Sequence, residues 1–352
     1  MKNWKRLLST VLAAALFMTQ PGGVTFAGAV GRGASAAADA VSTAAQYMAE
    51  AVQNVMIPLP AGPVVRAAAT YSIANDTAIL KYDTSGMITD FEVTDPNVFD
   101  GHLEIPASIK DVTITSIAEN AFSNNAELLS VVIPDSVTAI GDGAFSACFS
   151  LTAVDLPAGL TVLNNETFRS CEKLNSISLP ENLTAIGQGA FMYCSALTEI
   201  SIPDNVTVIG NATFQGCTDL HTVNGGSGLQ NIGRGAFSNC TALTNIILPN
   251  SLTVMGEQAF YLCSSLESID IPDQLTEIPS NAFQGCTKLA IVDFGQVKCI
   301  GMRAFTETGL TQLELPNTVE QIGDSAFSEC LNLSHAVLPD SVTQMGEYLF
   351  EK

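Results

Sequence analysis

The sequence has few basic residues and few of the side chains that most often carry chemistry. Its 352 residues include 14 Lys and Arg, 35 Asp and Glu, three His and one Trp. The formal net charge of -21 repels nucleic acid and anionic membrane surfaces, so neither is expected as a partner. Only 14% of residues are charged and 47% are hydrophobic, which excludes a disordered chain.

Motifs of metalloproteases, nucleotide-binding loops and serine hydrolases are also missing. The sequence contains no H-E-x-x-H, no G-x-x-x-x-G-K-[ST], no G-x-S-x-G and no C-x-x-C. Its histidines, His102, His221 and His335, are too few and too scattered for a metal site or a catalytic triad. We therefore expect no enzyme activity, no cofactor and no metal.

The first 27 residues have the pattern of a secretory signal peptide. Lys2, Lys5 and Arg6 precede a short apolar run from Leu7 to Met18, and Thr25-Phe26-Ala27 offers a cleavage site after Ala27. An uncleaved membrane anchor is the alternative, but the run is short for a bilayer span. Without the three signal bases, 11 basic and 35 acidic residues remain, a net charge of -24. The expected location is secreted or at the cell surface, without membrane insertion after cleavage.

Residues 28–70 differ in composition from the rest of the chain. They are rich in Ala and poor in charge, and Pro58, Pro60 and Pro63 lie near their end. This composition favours a linker, while the spacing of apolar residues between Val41 and Val55 leaves a short helix as the alternative. Residues 71–102 are assigned to an N-terminal cap region.

A repeat of 22–23 residues runs through the remainder, residues 103–352. It is marked by eleven phenylalanines, at Phe122, Phe145, Phe168, Phe191, Phe214, Phe237, Phe260, Phe283, Phe305, Phe327 and Phe350. In eight repeats a Cys follows three residues later, and a Leu usually follows the Cys by another three. One such unit cannot bury its own apolar edge, so the pattern predicts a solenoid of stacked coils.

Each unit divides into a strand half and a returning half. In the unit that begins at Leu151, Val154 and Leu156 alternate with polar residues and should point inward from a short strand that Pro157 closes. Ten such strands would form a continuous parallel sheet roughly 50 Å along one face. In most units a Gly follows the Ile of the returning half, but Ala118, Asn164 and Pro279 occupy this position in three units. Since proline cannot adopt a positive φ, this Gly should serve close packing between coils.

The unit Leu-x-x-Ile-x-Leu-Pro-x-x-Leu-Thr-x-Ile-Gly-x-x-Ala-Phe-x-x-Cys resembles the BspA-like (treponemal-type) leucine-rich-repeat family. The resemblance covers about residues 103–352. It implies a right-handed superhelix with its parallel sheet on the concave face and few helices. It also implies a secreted or surface protein linked to adhesion and protein binding, with no shared catalytic residues. Three rungs depart from the pattern, at Gly225–Gly228, Phe294–Gly295 and Thr308–Leu310.

The cysteines invite a disulfide interpretation, but their spacing argues against it. Eight recur once per repeat and should form a buried ladder of small apolar side chains with parallel directions. Cys299 lies outside this frame and is expected to be the most exposed thiol.

The ligand face should be formed by the strand positions that flank the inward residues, which point to solvent. They are Ser130, Val132, Ala153, Asp155, Ser176, Ser178, Glu199, Ser201, Thr222, Asn224, Asn245, Ile247, Ser268, Asp270, Ile291, Asp293, Gln312, Glu314, His335 and Val337. We take Glu199, Asp270, Asp293 and Glu314 as candidate binding residues for a basic protein or a cation, with plain solvated surface as the alternative. Three functions remain open: an adhesion or binding protein, a structural envelope or matrix protein, and a binding segment once joined to an enzyme.

Overall fold

The computed structural model describes residues 69–73 and 76–352, which all belong to one compact unit, Ala45–Lys352. The described residues form twenty-six short β-strands and no helix. The predicted signal peptide and nearly all of the predicted linker lie outside the described residues. Ala69 and Thr70, which we assigned to the linker, are instead the first residues of a strand.

The first three strands form an antiparallel sheet that continues into the repeats. These are β1 (Ala69–Ile73), β2 (Ala78–Tyr82) and β3 (Met87–Val93). β3 pairs in parallel with β7 (Ser116–Ile117), and β7 pairs with β9 (Ala139–Ile140). The ring of Phe91 lies 5.2 Å from that of Phe122, so these strands cover the first Phe of the stack.

Each later coil except one carries strands on two sides of the core; the exception, the coil of Ser176–Ser178, has a strand on one side only. The first column comprises β4 (His102–Glu104), β8 (Ser130–Val132), β10 (Ala153–Asp155), β13 (Glu199–Ile202), β15 (Thr222–Gly225), β17 (Asn245–Ile246), β19 (Ser268–Asp270), β21 (Ile291–Asp293), β23 (Gln312–Glu314) and β25 (His335–Val337). After β7 and β9, the second column comprises β11 (Val162–Leu163), β12 (Ala185–Ile186), β14 (Val208–Ile209), β16 (Asn231–Ile232), β18 (Val254–Met255), β20 (Glu277–Ile278), β22 (Cys299–Ile300), β24 (Gln321–Ile322) and β26 (Gln344–Met345). All pairs between coils are parallel, so the prediction of a parallel-stranded solenoid is confirmed.

Two details of the predicted sheet were wrong. The first column is not one continuous sheet but four, with orders β4-β8-β10, β13-β15-β17, β19-β21 and β23-β25. The returning half of the repeat, which was expected only to cross back, carries the strands of the second column. Residues 108–113 also form a hairpin, β5 (Ser108–Ile109) with β6 (Val112–Thr113), which accommodates the extra length of the first repeat.

The Phe side chains fill the space between the two columns. From Phe122 to Phe350, successive ring centroids are 4.8–5.9 Å apart and the rings are stacked. Ten of these rings are less than 2% exposed. Burial of an aromatic side chain removes a large apolar area from water, so this stack is the main hydrophobic core.

A ladder of cysteines lies beside the Phe stack, as predicted. Eight are buried and all nine are free thiols. The Sγ of each buried Cys donates to the carbonyl oxygen of the Phe one coil earlier at 3.1–3.2 Å, as Cys148 does to Phe122 and Cys171 does to Phe145. The ladder thus satisfies buried backbone acceptors as well as filling volume. Burial raises the pKa of Cys148 and of Cys263 to about 12.

The recurring Gly of the returning half packs as the sequence indicated. At Gly141 an added Cβ would lie 2.4 Å from the backbone nitrogen of Glu119, and at Gly256 it would lie 2.3 Å from that of Arg234. Neither Gly has a positive φ. Close approach to the preceding coil therefore explains why Gly is preferred there.

The same Gly also donates the hydrogen bond that continues the second column. Gly187 N donates to Leu163 O at 2.7 Å, and Gly256 N donates to Ile232 O at the same distance. Pro279 has no N–H to donate, and at Asn164 the side-chain Nδ2 donates to Ile140 O instead, at 2.8 Å. The second column is interrupted at these two coils, between β9 and β11 and between β18 and β20.

Candidate functional site: the outward face of the first column

The outward face of the first column is formed by alternation along each short strand. In β10, Val154 is 5% exposed and packs into the core, whereas Ala153 and Asp155 on either side are exposed. Of the twenty positions predicted to point outward, Ser130 and Ser268 are half-buried and all others are exposed. The prediction that these positions face solvent is confirmed.

A groove of about 600 Å³ opens on this face between β10 and β13. It lies over Ser176–Ser178, which is the one first-column segment in the described residues that forms no strand. Neither β10 nor β13 therefore has a paired neighbour on that side. Its polar lining includes Ser176, Ser178 and Ser201. Part of its wall is apolar, because Ile177 and Leu179 are only half-buried here.

Four carboxylates line this groove: Asp155, Glu181, Glu199 and Asp204. Of the described residues that line it, none is Lys, Arg or His. The backbone N–H of Ser227 donates to Oδ1 of Asp204 at 3.0 Å and lowers the pKa of that carboxyl. The groove therefore offers negative charge and hydroxyl groups beside a small apolar surface, a combination suited to a Lys or Arg side chain with its aliphatic stem.

The structure does not bring the four candidate binding residues together. Glu199 is exposed in the groove. Asp270 and Asp293 are exposed and directly opposite in the register of β19 and β21, three coils further on. Glu314 is exposed on β23, which belongs to a different sheet from β21. The predicted acidic strip, defined as Asp270, Asp293 and Glu314, thus crosses a break in the first column.

Two groove carboxylates were missed because they lie beyond the strands. Glu181 and Asp204 each follow the Pro that closes a strand, Pro180 and Pro203. An acidic residue after this Pro recurs at Asp135, Asp273 and Asp340 and could have been read from the repeat. Part of this recurrence is structural, since Asp135 Oδ1 accepts the N–H of Ala158 in the next coil at 3.0 Å.

Among residues 69–73 and 76–352, no three His, Cys, Asp or Glu side chains are placed to share one ion. Nothing in that part of the chain forms a helix with the length and hydropathy of a membrane span.

Cys299, the most exposed cysteine as predicted, is half-buried. Burial raises the pKa of its thiol, and the nearby carboxylates of Glu277 and Glu320 raise it further.

Comparison with known families and structures gives a consistent result for the fold. The family described as BspA type leucine rich repeat region matches residues 95–221, 184–298 and 298–352, in six copies. A leucine rich cell surface protein from Faecalibacterium prausnitzii is 24% identical, with a TM-score of 0.50 over 82% of this chain and 96% of that one. No curated protein sequence matches the chain.

Two further solved structures are similar at lower TM-scores. A leucine-rich repeat protein from Bacteroides ovatus is 27% identical, with a TM-score of 0.45 over 81% of this chain and 91% of that one. The pneumococcal vaccine antigen PcpA is 21% identical, with a TM-score of 0.47 over 80% of this chain and 78% of that one.

Proposed function

Because the chain belongs to the BspA-type leucine-rich-repeat family, we propose that it is a non-enzymatic, secreted or cell-surface protein that binds a basic segment of another protein. The groove between β10 and β13 is the proposed binding site, and its four unneutralised carboxylates carry the proposal. The secretory pattern of residues 1–27 supports the location, and the similar protein from Faecalibacterium prausnitzii is a cell surface protein.

The charge of the chain supports a basic partner. A net charge of -21 attracts cationic partners from a distance and accelerates their association, while the groove supplies contacts at short range. The groove follows one interrupted coil, which suits an extended peptide better than a folded domain. The acidic strip, Asp270 to Glu314, would extend the same face toward a longer partner.

Binding of an oligolysine peptide, measured by isothermal titration calorimetry, tests the site. The test variant changes Asp155→Asn, Glu181→Gln and Glu199→Gln, which removes three groove charges and leaves the Asp204–Ser227 hydrogen bond in place. The matched control changes Glu119→Gln, Glu320→Gln and Glu347→Gln, three exposed carboxylates beside the second column. We expect the test variant to lose most of its affinity and the control to lose little.

Salt and the control variant separate the possible outcomes. Contacts in the groove should weaken as ionic strength rises but should still distinguish the two variants. Equal losses in both variants would show that only net charge matters and would overturn the groove as the site. No binding by any variant, combined with end-to-end assembly of the purified protein, would favour a structural envelope or matrix protein instead.

A further inference from the structure

The rung at Gly225–Gly228 departs from the repeat, and the proposed function does not explain why. We propose that Asn224 in this rung is a site of spontaneous modification, where the side-chain amide is converted to a carboxylate by reaction with the backbone of Gly225. The sequence contains no other Asn-Gly pair. Asparagine is among the thermally labile residues, and a following Gly leaves its backbone nitrogen unshielded.

The reaction needs only water and a weak base. The backbone nitrogen of Gly225 gives up its proton and attacks Cγ of Asn224, the Cγ–Nδ2 bond breaks, and ammonia leaves. The resulting five-membered succinimide is opened by one water at either carbonyl, which gives aspartate or isoaspartate. No electron is gained or lost, so no cofactor is required.

The hydrogen-bond pattern leaves the attacking nitrogen accessible. On the β13 side, the N–H of Gly226 donates to Ile202 O at 2.8 Å, so in this parallel register the N–H of Gly225 points the other way. On that other side the pairing with β17 ends at Val223↔Ile246, before it reaches Gly225. Asn224 and Gly225 are both exposed, so water can reach the reacting atoms.

The strand restrains the reaction without preventing it. Asn224 must leave the extended conformation for its Cγ to reach the Gly225 nitrogen. The end of β15 is paired on one side only, so it can open locally more easily than a strand paired on both sides. Asn245, one coil further on the same face, provides a comparison, because it is followed by the buried Ile246.

The product would change the charge of the proposed groove. Gly225 lines the groove, and Asn224 lies opposite Ser201 in the register of β13 and β15. A carboxylate there would add to the negative charge of Glu199 and Asp204. This consequence rests on the proposed function, whereas the modification itself does not.

Peptide mapping by mass spectrometry tests the modification. The full chain is incubated at neutral and mildly alkaline pH, folded and in urea, beside the variants Asn224→Gln and Asn224→Asp. In the folded protein we expect the peptide containing Asn224 to react first. It should show the mass increase that results when NH is replaced by O, and isoaspartate should be detected in it with isoaspartate methyltransferase. The shift at the Asn245 peptide should be slower, and Asn224→Gln should abolish the early shift.

An unmodified Asn224 in the folded protein, over a period in which the urea-unfolded chain reacts, would overturn the proposal. The same would follow if Asn245 reacted as fast as Asn224. The Asn224→Asp variant separately measures the effect on the groove and should bind oligolysine more tightly than the unmodified protein. If Asn224 reacts but Asn224→Asp binds no more tightly, the modification stands and the proposed binding site is wrong.

Discussion

Raising the pH from about 8 to about 10 should strongly destabilise this protein, because the cysteine ladder must stay protonated in the fold. Burial raises the pKa of every ladder thiol, to about 12 at Cys148 and Cys263. In the unfolded chain these thiols keep a pKa near their ordinary value of 9.0. Their contribution to stability is therefore complete below about pH 9 and is lost as the pH rises toward the folded pKa.

The magnitude follows from the number of thiols. Between about pH 8 and about pH 10, a thiol that titrates only in the unfolded chain reduces the free energy of unfolding by about 1.4 kcal/mol. The seven consecutive ladder cysteines from Cys148 to Cys286 would together lose about 10 kcal/mol, comparable to the whole stability of many domains.

Urea denaturation under reducing conditions at the two pH values measures this loss. The variant Cys194→Ala, Cys217→Ala and Cys240→Ala lacks three ladder thiols but retains every Tyr and Lys, so other alkaline titrations cancel in the comparison. We expect the variant to be less stable at pH 8 by about 1 kcal/mol per thiol, from lost packing and hydrogen bonds. On going from pH 8 to pH 10, the free energy of unfolding of the variant should then fall by about 4 kcal/mol less than that of the parent protein. An identical pH dependence in both proteins would refute a protonated ladder.

Two other predictions concern the core and the acidic strip. Phe214→Ala should reduce the free energy of unfolding by about 3–5 kcal/mol, because its ring is fully buried between those of Phe191 and Phe237. The ring of Phe350 is 38% exposed and stacks on Phe327 alone, so Phe350→Ala should reduce the free energy of unfolding by only about 1–2 kcal/mol. Equal reductions for the two variants, measured by urea denaturation, would contradict the stacked core. The change Asp270→Asn, Asp293→Asn and Glu314→Gln should raise thermal stability by about 0.2–1 kcal/mol, because Asp270 and Asp293 are paired in register. That gain should shrink at high salt, and a salt-independent effect would show that repulsion is not its cause.

The periodic core could be predicted from the sequence because each Phe and Cys makes the same contacts in its own coil. The positions of Phe214 and Cys217 relative to neighbouring repeats were enough to place both in the interior, where each is 0% exposed. The packing role of the recurring Gly also followed, because Pro279 in the same slot excluded a positive φ.

The sheet boundaries and the groove could not be predicted, because they depend on pairing between coils. The strands of the second column are only two residues long, too short for a visible alternation. The segment Ser176-Ile177-Ser178 has the same apolar spacing as β10 and β13, so its pattern predicted a strand that the structure lacks. Glu181 and Asp204 line the groove from turns, and the alternation of residues along strands predicts nothing about turn positions.

Both candidate sites lie beside interruptions of the hydrogen-bond ladder, and this association has a physical basis. The coil that carries Asn164 breaks the second column between β9 and β11, and the next first-column segment, Ser176–Ser178, forms no strand and leaves the groove. The coil that carries Pro279 breaks the second column again, between β18 and β20, and the same coil carries Asp270, the first residue of the acidic strip. A regular stack has nearly every peptide group paired and offers a flat surface, whereas an interrupted coil can recede and present backbone and side chains to a partner. In a repeat protein the departures from the consensus are therefore where binding should be sought first.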